Sequence, residues 1–193
     1  SNGIETRANS LLVSLEKPYS QASGWGATLA YTYTDAKENR QFGEHYALQF
    51  ATLADYGWSK AGGAAPHRLV LSGIYDAPWD ITLSGKLALA TQAPRYGTNC
   101  LAGWDKCVEQ DQYTPDGTLG YKRFDLAAEK KWAVWGDMKL RLRADLLNVF
   151  DWVNYNGYDD WWGAPGEPNA NFGKPNSQLL PTRTFKLSVG LDW

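Results

Sequence analysis

This 193-residue sequence contains two cysteines, whose side chains could form a disulfide or bind a metal. Cys100 and Cys107 have six residues between them and lie in a long predicted loop. We interpret them as a disulfide formed in an oxidising compartment, which would hold the intervening segment and its Trp104 in one shape. A zinc site would need further ligands, and the only histidines in the sequence are His45 and His67.

A second candidate is the segment 154–163, Asn-Tyr-Asn-Gly-Tyr-Asp-Asp-Trp-Trp-Gly. Flat rings bind the face of a ligand and polar groups orient its edges, which suits a sugar, a peptide or an aromatic siderophore. Packing of loop on loop is the alternative, because long loops need buried side chains to be ordered. A calcium site at Asp159 and Asp160 falls short of the roughly six to eight oxygens required. The predicted binding residues are Trp104, Tyr155, Tyr158, Trp161 and Trp162, with Tyr96 and Tyr113 widening an aromatic vestibule.

Other classes of function find little support in the sequence. It contains no Gly-x-Ser-x-Gly, no His-Glu-x-x-His and no phosphate loop, so we expect no enzyme, no metal and no cofactor. A membrane-barrel hydrolase using a histidine remains an alternative. The net charge of −2 gives no reason to expect nucleic acid as a partner. No run approaches about 18 uncharged apolar residues, which excludes a membrane helix.

Seven segments alternate apolar and polar side chains with a period of two, which predicts β-strands with unlike surroundings on their two faces. Most of them are 9 to 11 residues long. Ordinary strands peak near 5–6 residues, whereas about 9–11 are needed for a tilted strand to cross a bilayer. The predicted strands are Arg7–Glu16, Trp25–Thr34, Arg68–Tyr75, Ile81–Leu89, Phe124–Trp132, Met138–Leu146 and Arg183–Trp193.

The connections between these strands alternate strictly in length. The short ones are Lys17–Ser23, Ala77–Asp80 and Val134–Asp137, and the long ones are Ala36–Pro66, Ala93–Leu119 and Asp151–Thr182. We place Tyr46–Leu53 in a long connection, as a projecting hairpin. Outer-membrane barrels have short periplasmic turns and long external loops. The sequence therefore predicts an all-β fold, a transmembrane antiparallel β-barrel with Ser20, Pro78 and Gly136 in the periplasm and Trp104 and Trp161 outside.

Aromatic residues support this prediction by forming two belts. Trp25 and Tyr33 are eight residues apart, about 26 Å along a strand and about 20 Å in height after tilting. The belt beside the short turns contains Trp25, Trp79, Trp132, Trp135 and Trp193, and the other contains Tyr31, Tyr33, Phe124, Phe150, Trp152 and Phe185. The polar face carries Lys86, Lys131, Lys139, Arg141, Arg143 and Lys186 against Glu16, Asp125, Glu129, Asp145 and Asp192. Such a mixed wall suits docking to a plug, with a selective pore as the alternative.

Seven strands cannot close a bacterial barrel, which needs an even number, so we expect the C-terminal third of a larger one. Four segments carry a family resemblance: Thr32–Asp35 (TYTD), Pro66–Trp79 (PHRLVLSGIYDAPW), Arg143–Phe150 (RADLLNVF) and Pro181–Trp193 (PTRTFKLSVGLDW). In this order they resemble the C-terminal end of TonB-dependent receptors. They are most similar to the Oar-like branch, which has large extracellular loops. The resemblance covers essentially residues 1–193.

The resemblance implies seven C-terminal strands of a 22-stranded barrel in the bacterial outer membrane. The plug, the TonB-contacting segment and the earlier strands lie outside this sequence. It implies uptake of a scarce nutrient (siderophore, oligosaccharide or peptide-like) driven by the TonB–ExbB–ExbD complex, with the rest of the receptor and outer-membrane lipid as further partners. The ending also resembles the signal that barrel-assembly machinery recognises, carried by Phe185, Leu187, Val189, Leu191 and Trp193. A passive porin or an autotransporter barrel is the alternative.

Overall fold

A computed structural model describes residues 5–39, 57–179 and 182–193. His45 and the hairpin predicted at Tyr46–Leu53 lie outside these ranges. The described chain is all-β and contains a single 3-10 turn, Trp104–Lys106. No helix in the described ranges has the length and apolar character needed to cross a membrane.

The strands fall into a long and a short group. The long strands are β1 (Thr6–Ser20), β2 (Trp25–Glu38), β4 (His67–Ala77), β5 (Ile81–Thr91), β8 (Leu119–Trp135), β9 (Met138–Leu147) and β14 (Thr184–Asp192). The short strands are β3 (Ser59–Lys60), β6 (Arg95–Asn99), β7 (Val108–Tyr113), β10 (Asn154–Tyr158), β11 (Trp161–Ala164), β12 (Glu167–Pro168) and β13 (Pro175–Leu179).

The seven long strands form one antiparallel sheet in the order β1-β2-β4-β5-β8-β9-β14, with β3 added to β2. All seven predicted strands are confirmed, and each pairs with the next one along the chain. The register aligns the predicted apolar positions: Leu15 lies opposite Leu29, Leu29 opposite Leu71, and Leu71 opposite Leu87. The first and last strands, β1 and β14, are the two edges of this sheet.

The predicted alternation of short and long connections is also confirmed. Tight turns at residues 21–24, 78–80 and 136–137 join strands at one end of the sheet. Gly24 and Gly136 adopt positive φ (67° and 56°), a conformation that costs glycine little and lets the chain reverse within a few residues. The connections 39–66, 92–118 and 148–183 leave from the opposite end, because each strand runs antiparallel to its neighbours.

The two faces of the main sheet differ in chemistry. One face carries most of the apolar residues of the long strands, half exposed in the middle of the sheet and largely exposed on β14: Phe185 by 65%, Leu187 by 60% and Val189 by 69%. Lys130 interrupts this face, with its ammonium 5.4 Å from the centroid of the Trp132 ring. The opposite face carries most of the polar and charged residues, together with Leu12, Val70 and Ile74. In the described ranges the buried hydrophobic residues are only Ala61, Ala88, Cys100 and Tyr158, so no second layer covers the apolar face.

Candidate functional site

The long connections pack against one another at one end of the sheet, and we call their described residues 57–66, 92–118 and 148–179 the loop cap. Its four-stranded sheet has the order β12-β11-β6-β7 and so joins the second connection to the third. The pairing of β6 with β11 is parallel and brings Thr98 opposite Trp161. The backbone N–H of Thr98 also donates to the carbonyl of Asp160 at 2.9 Å. A Cβ at Gly97 would collide with that same carbonyl, so this close approach requires glycine.

The first connection is fastened to the same cap. The backbone N–H of Gly63 donates to the carbonyl of Pro94 at 2.9 Å. The Tyr96 hydroxyl donates to the carbonyl of Lys60 at 2.6 Å, and Gly62 donates its backbone N–H to Glu38 Oε1 at 2.9 Å. All three long connections are therefore held together by hydrogen bonds between residues far apart in sequence.

The structure joins Cys100 and Cys107 in a disulfide. The enclosed residues form a compact turn, in which Gly103 donates to the Cys100 carbonyl and Lys106 to the Gly103 carbonyl, each at 3.0 Å. Trp104 projects from this turn with 67% of its surface exposed. The disulfide thus fixes an exposed indole at the outside of the cap.

Reduction of the disulfide is expected to expose the bond after Lys106 to trypsin. By lowering the entropy of the unfolded chain, a disulfide that closes so short a loop stabilises the folded turn by about 2.5 kcal/mol. Reduction of the disulfide should therefore speed local opening and cleavage by about 10-fold or more. Timed digestion followed by mass spectrometry, with and without reductant, measures this rate. Lys60 is the control, because its carbonyl is held by Tyr96 and Gln112 outside the disulfide. Equal rates after Lys106 in both conditions would show that the turn holds its shape without the disulfide.

The structure separates the two adjacent indoles of the third connection. Trp161 stacks on Trp104, with ring centroids 6.2 Å apart and planes 21° from parallel. Trp162 packs on Phe172 at 4.0 Å, and Phe172 in turn contacts Tyr113 at 4.7 Å. Trp162 therefore packs within the third connection and reaches the second only through Phe172, whereas the Trp104–Trp161 stack joins these two connections at the surface.

The two predicted tyrosines lie at a different place in the cap. Tyr155 and Tyr158 meet edge to face at 6.4 Å. Tyr158 is buried, and the Arg95 guanidinium lies 4.5 Å from the centroid of its ring. Arg95 is not among the binding residues expected from the sequence, although a cation directly before Tyr96 in an aromatic-rich loop was a signal for it.

A cavity of about 440 Å³ opens where the three connections meet, and we call it the Arg95 pocket. Its wall combines one cation, one carboxylate and three phenol rings. The lining includes Arg95, Tyr96, Tyr113, Gly157, Tyr158 and Asp160. This volume falls in the range of small-molecule sites, roughly 300–1,000 Å³.

Two phenols of the Arg95 pocket stay protonated at neutral pH. Burial is the main cause that raises the pKa of the Tyr113 hydroxyl; the Arg95 guanidinium lowers this pKa, and the carboxylates of Asp160 and Asp159 raise it further. Burial likewise raises the pKa of Tyr96, with the Glu38 carboxylate acting in the same direction. Tyr113 can therefore offer a hydroxyl as well as an apolar face to a ligand, whereas the Tyr96 hydroxyl is already bonded to the Lys60 carbonyl.

The polar face of the main sheet lines a second cavity of about 480 Å³. Part of its charge is already paired within the wall: Arg143 contacts Asp145 at 2.7 Å and Glu129 at 3.8 Å. Lys131 and Arg141 share Asp192, at 3.4 Å and 3.6 Å. Within the described ranges Glu16, Lys86, Lys139 and Lys186 have no ion-pair partner. The wall is thus a mixture of neutralised and free charges rather than a ring of one sign.

Metal binding finds no support in the part of the chain that the structure describes, where no three His, Cys, Asp or Glu side chains cluster suitably. Asp159 has a local partner instead, since its Oδ1 accepts from the Trp161 N–H at 3.2 Å and from Asn169 Nδ2 at 3.0 Å. No protein-family model and no curated protein sequence match this chain.

Proposed function

We propose that this chain is the C-terminal part of an outer-membrane β-barrel receptor of the TonB-dependent type, which takes up a scarce nutrient. The observation that carries the proposal is the apolar face of the main sheet. Exposed apolar surface of this extent is unfavourable in water, and monomeric soluble proteins rarely carry it. In an outer-membrane barrel the same surface faces lipid.

The ends of the apolar face support a membrane boundary. At the loop-cap end Phe124 stacks on Phe150 at 5.6 Å, and Phe150 contacts Trp152 at 4.8 Å. At the turn end Trp79 and Trp135 are 78% and 84% exposed. Outer-membrane barrels carry girdles of aromatic residues at both interfaces, so two aromatic groups at opposite strand ends fit a bilayer.

The two sheet edges support the larger barrel. Edge strands leave backbone N–H and C=O groups unpaired, and within hydrocarbon each unpaired group costs several kcal/mol. In this proposal β1 and β14 pair with strands of the rest of the receptor, giving the 22-stranded barrel. The free charges of the polar face then contact a plug, which distinguishes this receptor from a passive porin.

Thiol labelling of intact cells tests the orientation. The receptor is produced with Gly136→Cys or Trp104→Cys, both in a background of Cys100→Ser and Cys107→Ser. A membrane-impermeant maleimide should label position 104 in intact cells, because the loop cap faces outward, and position 136 only after lysis. Labelling of position 136 in intact cells would reverse the proposed orientation.

Growth on defined iron or carbon sources tests the transport function. A source that supports growth only when the receptor is present should cease to do so when TonB is deleted, because TonB supplies the energy for uptake. The same strain carrying an ordinary porin for that source is the control and should grow without TonB. Receptor-dependent growth that persists without TonB would favour the passive porin.

A further inference from the structure

The Arg95 pocket contains a cation that the described protein residues leave without a counter-charge. Its Nη1 donates to the Asn156 carbonyl at 3.3 Å, and its guanidinium lies on the Tyr158 ring. Its Nε is closed to solvent and has no acceptor in the part of the chain that the structure describes. Among the described residues no carboxylate forms an ion pair with Arg95. The side chain is therefore fixed in place while most of its hydrogen-bonding capacity is unused.

The same pocket contains a carboxylate in the complementary situation. The backbone carbonyl of Asp160 is engaged by Thr98, but its side chain has no hydrogen bond or ion pair within the described ranges. Asp160 is exposed, so a ligand can reach its carboxylate. One pocket thus holds an unpaired positive group and an unpaired negative group.

The position of these groups is set by the fold of the loop cap. The pairing of β6 with β11 carries Arg95 and Asp160 to the same pocket from two different connections. The contact between Gly63 and Pro94 adds the first connection to its wall. Because these contacts fix the backbone before a ligand arrives, little ordering cost remains to be met by binding.

We propose that the Arg95 pocket binds a zwitterionic ligand, a free amino acid or short peptide with an unblocked amine and carboxylate, and that this is the substrate class of the receptor; the inference rests on the proposed function. A carboxylate suits the planar guanidinium of Arg95, which offers several donors in fixed directions. The ligand's ammonium suits Asp160. The ring of Tyr113 then takes an apolar or aromatic side chain of the ligand.

Calorimetric titration of the complete receptor in detergent tests this inference. The probes are the dipeptide alanyl-phenylalanine, its N-acetyl form, its C-terminal amide and galacturonic acid. The free dipeptide should bind about 10-fold or more tightly than either blocked form, because each block removes one charge-assisted contact. Equal binding of free and blocked dipeptides would overturn the inference. Tighter binding of galacturonic acid than of the dipeptide would also overturn it, in favour of an acidic sugar.

Single substitutions assign the two charges. Arg95→Gln should abolish the preference for a free carboxylate, and Asp160→Asn should abolish the preference for a free amine. Arg95→Lys, which keeps the charge, should retain part of the preference for the carboxylate. Lys106→Gln and Asp105→Asn remove matched charges elsewhere in the cap and should leave both preferences unchanged. Persistence of both preferences in Arg95→Gln and Asp160→Asn would overturn the assignment.

If loss of Arg95 impairs folding, the Asp160→Asn variant still decides the test, because the Asp160 side chain has no hydrogen bond or ion pair to lose among the described residues. The experiment also separates the two proposals. Binding in detergent does not require TonB, so dipeptide binding without TonB-dependent growth would support the pocket and contradict the transporter. TonB-dependent growth on a source unrelated to peptides, without dipeptide binding, would support the transporter and contradict the proposed ligand of the pocket.

Discussion

Leu29→Arg should lower the stability of the lipid-inserted receptor by about 2–4 kcal/mol, the cost of a cation at the midplane of a barrel's outer face. Leu29 lies four residues from Trp25 and four from Tyr33, midway between the two aromatic belts. Its cross-strand neighbours on the apolar face are Leu15 and Leu71. An arginine there would have to leave the hydrocarbon or carry water into it.

Thr28→Arg is the matched control, because the same side chain is introduced one residue away on the opposite face. Thr28 lies opposite Glu16 and Ser72, on the wall of the polar cavity. There the guanidinium has a carboxylate beside it, and the expected change is within about 1 kcal/mol. Urea titration of the complete receptor refolded into lipid vesicles measures both values. A neutral Leu29→Arg would place the apolar face in water and remove the basis for the membrane proposal.

Asn148→Ala should destabilise the fold by about 3 kcal/mol, because the side-chain amide of Asn148 forms two hydrogen bonds with the backbone at the start of the third long connection. Asn148 is only 2% exposed. Its Nδ2 donates to the Trp152 carbonyl at 2.9 Å, and its Oδ1 accepts from the Trp152 N–H at 3.1 Å. Removal of the amide leaves two partly buried backbone groups of Trp152 unpaired, each costing about 1–3 kcal/mol less any recovery from water. Asn148 also has φ of 53°, which alanine adopts less readily.

Asn148→Gly separates the two contributions to that loss. Glycine adopts positive φ without penalty but lacks the amide, so it should lose the hydrogen bonds and recover about 1 kcal/mol relative to alanine. The same titration in lipid vesicles compares the two variants. A loss below about 1 kcal/mol for both would mean that the amide does not anchor this connection. The result bears on the segment Arg143–Phe150, because its Asn-Val-Phe motif forms this anchored turn.

The long strands were predictable from sequence because the side-chain period of a strand is fixed at two. Alternation in 138–146 and 183–193 located β9 and β14 to within one or two residues, and in the structure their apolar faces are in register, with Leu142 opposite Val189. Strand ends were less certain. β8 begins at Leu119, five residues before the predicted start, because Leu119 still pairs with Thr91 beyond the apolar band.

The loop cap was decided by tertiary structure. The disulfide was predictable because it joins cysteines close in sequence, whereas no local periodicity indicates that β6 pairs with β11 some sixty residues away. For the same reason the sequence placed Trp161 and Trp162 in one binding group, although they face different partners. Arg95 and Asp160 line the same pocket because of that long-range pairing. The sequence by itself therefore determined the sheet and its two faces, while the pocket arose from contacts between connections that carry no repeating pattern.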